Sequence, residues 1–207
     1  MQIEEQVQGV DLVLQTNEEV FSPTAVDKGT RAMLSFVEFK EGDKVLDLGC
    51  GCGVVGILAA KQIGANNVVM CDVSENAVQL SKQNAAVNGV DGVTIRRSDG
   101  LNEISETGFT LILSNPPYHT DFAVAKGFIE DGFKKLLVGG KMVMVTKRLD
   151  WYRNKLSSVF GGVTVKEQDG YYVFLAEKRS DRKPKPEKKN QQVMSKKLQR
   201  KYGNKKK

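Results

Sequence analysis

Asn115-Pro116-Pro117-Tyr118 follows directly on the apolar run Phe109, Leu111, Ile112 and Leu113. Two adjacent prolines remove two backbone donors, fix two φ angles and push the residue before each of them out of the helical region. The resulting corner is stiff and extended, and it carries an amide and an aromatic ring. The Asn115 amide oxygen and a neighbouring proline carbonyl, that of Pro116, can only accept hydrogen bonds. Two such acceptors can take both hydrogens of a planar –NH₂ group and leave its lone pair facing an electrophile. Tyr118 offers a face on which a flat base can stack. The same stiffness would serve a plain strand end, so the rest of the chain has to decide.

Three further stretches carry polar groups to strand ends. In "VLDLGCGCGVVG", residues 45–56, an apolar run enters glycines and then a helical pattern. Gly51-x-Gly53-x-x-Gly56 matches a dinucleotide fingerprint, a match that is weak alone. Glycine permits a tight turn and close backbone approach to a ligand, and a helix N-terminus favours a negative group. Asp47, two residues before Gly49, adds a carboxylate able to hold a cation. Asp72 ends the run "VVMC" and follows Gly53 by 19 residues. At that separation an acid meets the ribose hydroxyls in nucleotide-binding α/β folds, although a strand-ending Asp can also cap a helix. Asp99 in "RRSDGL" can reach an adenine edge or simply form an Asp-Gly turn. These residues fit a nicotinamide enzyme and a methyl-transferring enzyme alike. The acceptor corner favours transfer to an amine, and no strong base is needed, since the product nitrogen can lose its proton to solvent.

The elements that must position these groups form an alternating pattern. Candidate strands are 44–48, 67–71, 93–97, 109–114 and 141–146, with helical stretches between them. The clearest helix is 75–87, with Ser74 as its cap and Asn88-Gly89 as its stop. Alternation of this kind predicts βαβ units and a mainly parallel sheet. Runs 163–167 and 171–177 flank Asp169-Gly170, a strong hairpin signal, so a helix near 149–159 should lead into an antiparallel pair. Ahead of the sheet, 8–36 reads as a loop and then a helix from about Thr24 to Val37. The expected fold is α/β, with about five parallel strands and a C-terminal antiparallel hairpin.

With 207 residues and 40% hydrophobic content, the chain suits one domain and an appendage. No apolar run approaches a membrane span, and the acidic N-terminus lacks the layout of a signal peptide, so a cytoplasmic location is expected. Cys50, Cys52 and Cys71 read as buried free thiols, and the single His119 gives no reason to expect a metal site. Charge divides the chain. Residues 181–207 carry twelve basic and two acidic side chains, net +10, while 1–180 are net −4. The expected division is a domain over 1–180 and a basic flexible tail over 181–207. In the tail, Met194, Leu198 and Tyr202 fall at helical spacing, which suits an arm that becomes helical on RNA. A solvated basic tail is the bland alternative.

Residues 8–178 resemble class I S-adenosylmethionine-dependent methyltransferases, a Rossmann-like seven-stranded fold. Within them the chain looks like the methyltransferase small domain group that contains the bacterial ribosomal RNA guanine-N2 enzymes. The resemblance makes "VLDLGCGCGVVG" the cofactor loop, with Asp47, Gly49, Gly51 and Gly53. It makes "CDVS" the ribose segment with Asp72 and Val73, and "SDGL" the adenine-side segment with Asp99 and Gly100. "NPPYH" becomes the catalytic motif, with Asn115, Pro116 and Tyr118. "VFSPTAVDKGTRAML", with Phe21 and an Asp-x-Gly, looks like the group's segment ahead of the sheet, and the resemblance counts Phe21 and Asn115 among the cofactor-binding residues as well. The implied cofactor is S-adenosyl-L-methionine and the implied partner ribosomal RNA or a ribosomal particle. Many guanine-N2 enzymes of the group carry a degenerate domain ahead of the catalytic one, which this sequence does not show. Adenine N6 and protein glutamine N5 remain alternative acceptors, and a non-catalytic RNA-binding assembly factor is the alternative of another class.

Overall fold

The computed structural model describes residues 1–17, 25–116 and 122–181. A hairpin of β1 (Gln2–Val7) and β2 (Val10–Gln15) comes first, followed by helix α1 (Lys28–Leu34). The main body then runs β3 (Val45–Leu48), α2 (Val54–Ile63), β4 (Val68–Asp72), α3 (Glu75–Val87) and β5 (Thr94–Arg97). It continues through β6 (Phe109–Ser114), α4 (Phe122–Lys135), β7 (Leu136–Thr146) and α5 (Leu149–Phe160), and closes with β8 (Thr164–Gln168) and β9 (Tyr171–Glu177). The seven-stranded sheet has the order β5-β4-β3-β6-β7-β9-β8. Strands β5 to β7 pair in parallel, and β9 joins β7 and β8 antiparallel. The parallel α/β body and its closing hairpin match the expectation. At the predicted Asp169-Gly170 turn both residues have positive φ, 53° and 76°.

The central strand β3 is buried at all four positions, as a strand covered on both faces should be. One core, with Leu12, Leu14, Met33, Ile57 and Leu58, joins α1, α2 and the N-terminal hairpin. The other, with Phe109, Phe133, Tyr152, Leu156 and Phe174, joins α4 and α5 to the opposite face. Helix α2 is buried over Val55–Ala60, hence its nearly unbroken apolar sequence.

Two departures from the sequence expectations concern the N-terminal region. Residues 2–15 form a hairpin turning at Gln8-Gly9, both at positive φ, 51° and 75°. Its free edge is paired by α3: Asn84 Oδ1 accepts from Gln15 N at 2.6 Å and Asn88 Oδ1 from Val13 N at 3.1 Å. Both amides return a hydrogen bond to the same strand. The helix expected over 24–37 is shorter, because Asp27 caps it by accepting from Thr30 N at 3.0 Å. By contrast, Ser74 caps α3 as expected, accepting from Ala77 N at 3.3 Å. Among the described residues, no helix is long and apolar enough to cross a membrane.

Candidate active site

A cavity of about 460 Å³ opens at the carboxyl ends of β3, β4 and β6. Open α/β sheets bind ligands at that edge, where the strand order reverses between β3 and β6. Asp47, Gly49, Gly51, Asp72, Val73, Asp99, Gly100, Asn115 and Pro116 all line it. Gly53 does not. It holds a left-handed φ of 92° at the start of α2, and a Cβ there would stand 2.7 Å from Met70 Cε. Its demand is helix-on-strand packing. Phe21 and Tyr118 lie outside the described residues, as do His119 and the tail beyond Asp181.

The glycine loop is tied to the ends of β3 and β4. Gly49 N and Cys50 N both donate to Cys71 O, at 2.9 and 3.0 Å. Asp72 Oδ2 accepts from Gly51 N at 3.0 Å and Asp72 Oδ1 from Ser74 N at 2.9 Å. The carboxylate is thereby held at the cavity wall with lone pairs to spare. Asp47 is 3% exposed and accepts from Gly56 N at 2.9 Å, in the first turn of α2. Burial pushes its carboxyl up to about 7; the Gly56 hydrogen bond opposes the rise and the neighbouring Asp72 adds to it. The free thiols of Cys52 and Cys71 are pushed by burial to about 11 and about 12. No group of His, Cys, Asp or Glu suited to a metal ion occurs among the described residues.

The acceptor corner has a support that sequence reasoning did not find. Asn115 Nδ2 donates to Asp27 Oδ2 at 2.8 Å and to Thr30 Oγ1 at 3.1 Å. A carboxylate oxygen can only accept, so it must face the amide nitrogen, and the amide oxygen is turned the other way. That oxygen, Asn115 Oδ1, is buried and has no hydrogen-bond partner among the described residues. A buried acceptor left unpaired costs about 1–3 kcal/mol. Asp27 thus does two jobs, capping α1 and orienting Asn115 across 88 positions of sequence. Gly29 allows the arrangement: a Cβ there would stand 2.8 Å from both Asp27 Oδ2 and Tyr171 Cε1.

The family model "methyltransferase small domain" matches residues 11–176. The chain belongs to this family. Its small-domain relatives include the ribosomal RNA small subunit methyltransferase C of Cronobacter sakazakii, 34% identical over 166 residues, which are 78% of this chain and 48% of that protein. Another is the uncharacterized protein YbxB of Bacillus subtilis, 33% identical over 174 residues, 81% of this chain and 87% of that protein. The chain therefore spans about half the length of the first of these and most of the second. Among solved structures, a 16S rRNA N2 methyltransferase of Thermus thermophilus in complex with AdoMet and guanosine superposes with a TM-score of 0.78. It is 24% identical, and the match covers 86% of this chain and 50% of that one. The likeness bears out the small-domain fold, with its mostly parallel seven-stranded sheet.

Proposed function

We infer that this chain transfers a methyl group from S-adenosylmethionine to an exocyclic amino nitrogen, guanine N2 of ribosomal RNA, in the cytoplasm. The observation that carries the reaction type is Asn115, whose amide nitrogen is held by Asp27 and Thr30 while its buried oxygen has no donor among the described residues. Ribosomal RNA is supported by relatives named for it, at 30–34% identity. Guanine is supported by the Phe-Ser and Asp-x-Gly segment, whose Asp27 holds the catalytic amide.

The cavity residues fit the cofactor. Asp72 is placed to accept from ribose hydroxyls, while Val73, Asp99 and Gly100 form the wall on which an adenine would lie. Gly49 and Gly51 bring backbone close to the ligand, and Asp47 faces it with a buried carboxylate. When bound, S-adenosylmethionine supplies a methyl group activated by a positively charged sulfur. Asn115 Oδ1 and the Pro116 carbonyl accept the two amino hydrogens, which fixes the direction of the nitrogen lone pair. Orientation by Asp27 keeps the Asn115 amide from turning its nitrogen toward the amine. Tyr118, outside the described residues, is the ring assigned to stack on the base.

Calorimetry tests the cofactor assignment. S-adenosylmethionine should bind, and Asp72→Ala should weaken it by roughly 1.5–3 kcal/mol, the range for hydrogen bonds to a charged group. Binding of a nicotinamide cofactor, with no affinity for S-adenosylmethionine, would overturn the assignment.

Asp47 adds a pH dependence. Its carboxyl rises from 3.8 to about 7 on folding, so its contribution to stability is full below the lower value and lost as pH climbs through the upper one. A cationic ligand favours the ionised form. Affinity for S-adenosylmethionine should therefore climb by up to about tenfold per pH unit approaching neutrality and level off above it. Titration calorimetry over about pH 6 to 8 should show this slope, and Asp47→Asn should lose it. An equally steep slope in Asp47→Asn would assign the dependence to another group.

A further inference from the structure

We propose that Lys147 and Arg148, with the stacked rings of Phe122 and Trp151, form a rim that holds the RNA backbone and a neighbouring base beside the target nucleotide. This rests on the RNA reading above and places an RNA surface on the acidic body itself. Strands β6 and β7 are neighbours, with Ser114 level with Met144. They leave the sheet at the same edge, so Lys147-Arg148 emerges one strand away from Asn115-Pro116. Adjacent strands lie about 4.8 Å apart, well within the span of one nucleotide.

Consecutive residues of an extended chain point to opposite faces, and these two cations do so. Lys147 Nζ lies 4.8 Å from the centre of the Tyr171 ring, on the side of α1, and Tyr171 is the ring that packs at Gly29 beside Asp27. The Arg148 guanidinium lies 4.9 Å from the centre of the Phe122 ring, on the side of α4 and α5. Both side chains are exposed, and neither forms an ion pair among the described residues. On α5 the basic groups are engaged: Arg153 pairs with Asp150 at 2.8 Å, and Lys155 pairs with Glu130. Two uncommitted cations astride the catalytic corner match the two phosphates that flank a base drawn out of its stack.

The rings complete the fit. Phe122 and Trp151 stack at 4.4 Å with 17° between their planes, both partly exposed, and Val124 on the same helix as Phe122 lines the cavity at 40% exposure. An aromatic face next to cations is the arrangement on which unstacked bases lie. A duplex offers no such base, so the occupant is a single-stranded or locally opened segment of RNA.

The test uses the full chain and protein-free small-subunit ribosomal RNA, with binding measured across a salt series. The double variant K147A/R148A should bind S-adenosylmethionine as the parent does. Its slope of log affinity against log salt should flatten by roughly 1.4–1.8, at about 0.7–0.9 for each phosphate left without its cation. Trp151→Ala should lower RNA affinity by roughly five- to hundredfold with the slope kept, and Trp151→Phe should restore most of it. Unchanged slope and affinity in K147A/R148A, or equal loss in Trp151→Ala and Trp151→Phe with intact cofactor binding, would overturn the rim. The wild-type chain separates this from the parent reading. If it labels RNA while these variants bind RNA normally, the rim alone is wrong; if it labels no RNA amine, the RNA reading falls first.

Discussion

Asn115→Ala should leave S-adenosylmethionine affinity nearly unchanged while turnover falls by at least about a hundredfold, the scale for losing a positioned group that acts in the transition state. The asymmetry follows from the geometry. Asn115 lines the cavity beside Pro116, whereas most groups assigned to the cofactor stand on or just after β3 and β4 and in the loop after β5. Removing the amide also removes a buried oxygen that has no partner among the described residues, so the variant need not be less stable than the parent. Asp27 supplies a graded comparison. Asp27→Asn keeps an acceptor for both Thr30 N and Asn115 Nδ2 and should retain much of the activity. Asp27→Ala loses the α1 cap and the orientation of Asn115, so both turnover and thermal stability should drop. Steady-state kinetics beside cofactor calorimetry reads both effects, and an Asn115→Ala enzyme with most of its activity would refute the acceptor-pair mechanism.

The second large effect concerns RNA affinity and the basic tail. Lys178 is buried, donates to Leu136 O at 2.7 Å and pairs with Asp181 at 3.0 Å. A truncation should therefore be cut after Asp181, so that this lysine keeps its partner. Removing 182–207 takes away twelve basic side chains and one acidic one, and leaves a body of nineteen basic and twenty-four acidic residues. That body should stay folded and bind S-adenosylmethionine, because the sheet and both cores end by Lys178. Its RNA affinity should fall steeply. If four or five of the lost cations touch phosphate, the salt slope should flatten by about three to four units, more than the rim alone can produce. Filter binding at several salt concentrations measures it. Equal affinity and equal slope in the truncated and full chains would reduce the tail to an appendage for solubility.

The parts of this molecule that are legible in its sequence are those written in local chemistry. Asp169-Gly170 announces its hairpin because both turn positions need positive φ, and Ser74 with Asn88-Gly89 brackets α3. The glycine loop, Asp72 and Asn115 are readable because each ends a strand of recognisable pattern, and the sheet then carries all of them to one edge. The rest depends on long-range partners. Asn84 and Asn88 look like polar positions on a helix, yet their task is to pair the edge of a strand 69 and 75 residues away. The hairpin they hold escapes the sequence pattern, although Val10, Leu12 and Leu14 recur at every second position and follow a Gln-Gly turn; Val13 between them blurs the alternation. Asp27 is visible only as part of an Asp-x-Gly pattern. Its reason is the amide of Asn115, which no spacing rule could reveal. Gly53 fits the fingerprint by position, but Met70 rather than a ligand explains it.

The central claim is that the amide oxygen of Asn115 serves an amino group of guanine. Its most direct test is mass spectrometry of nucleosides after the purified chain has been given S-adenosylmethionine with a deuterated methyl group. The acceptors should be ribosomal RNA and small subunits from a strain lacking the gene, with Asn115→Ala as the control. The account predicts deuterated N2-methylguanosine from the parent chain and almost none from Asn115→Ala. Label in N6-methyladenosine, in protein glutamine or in no product at all would contradict it.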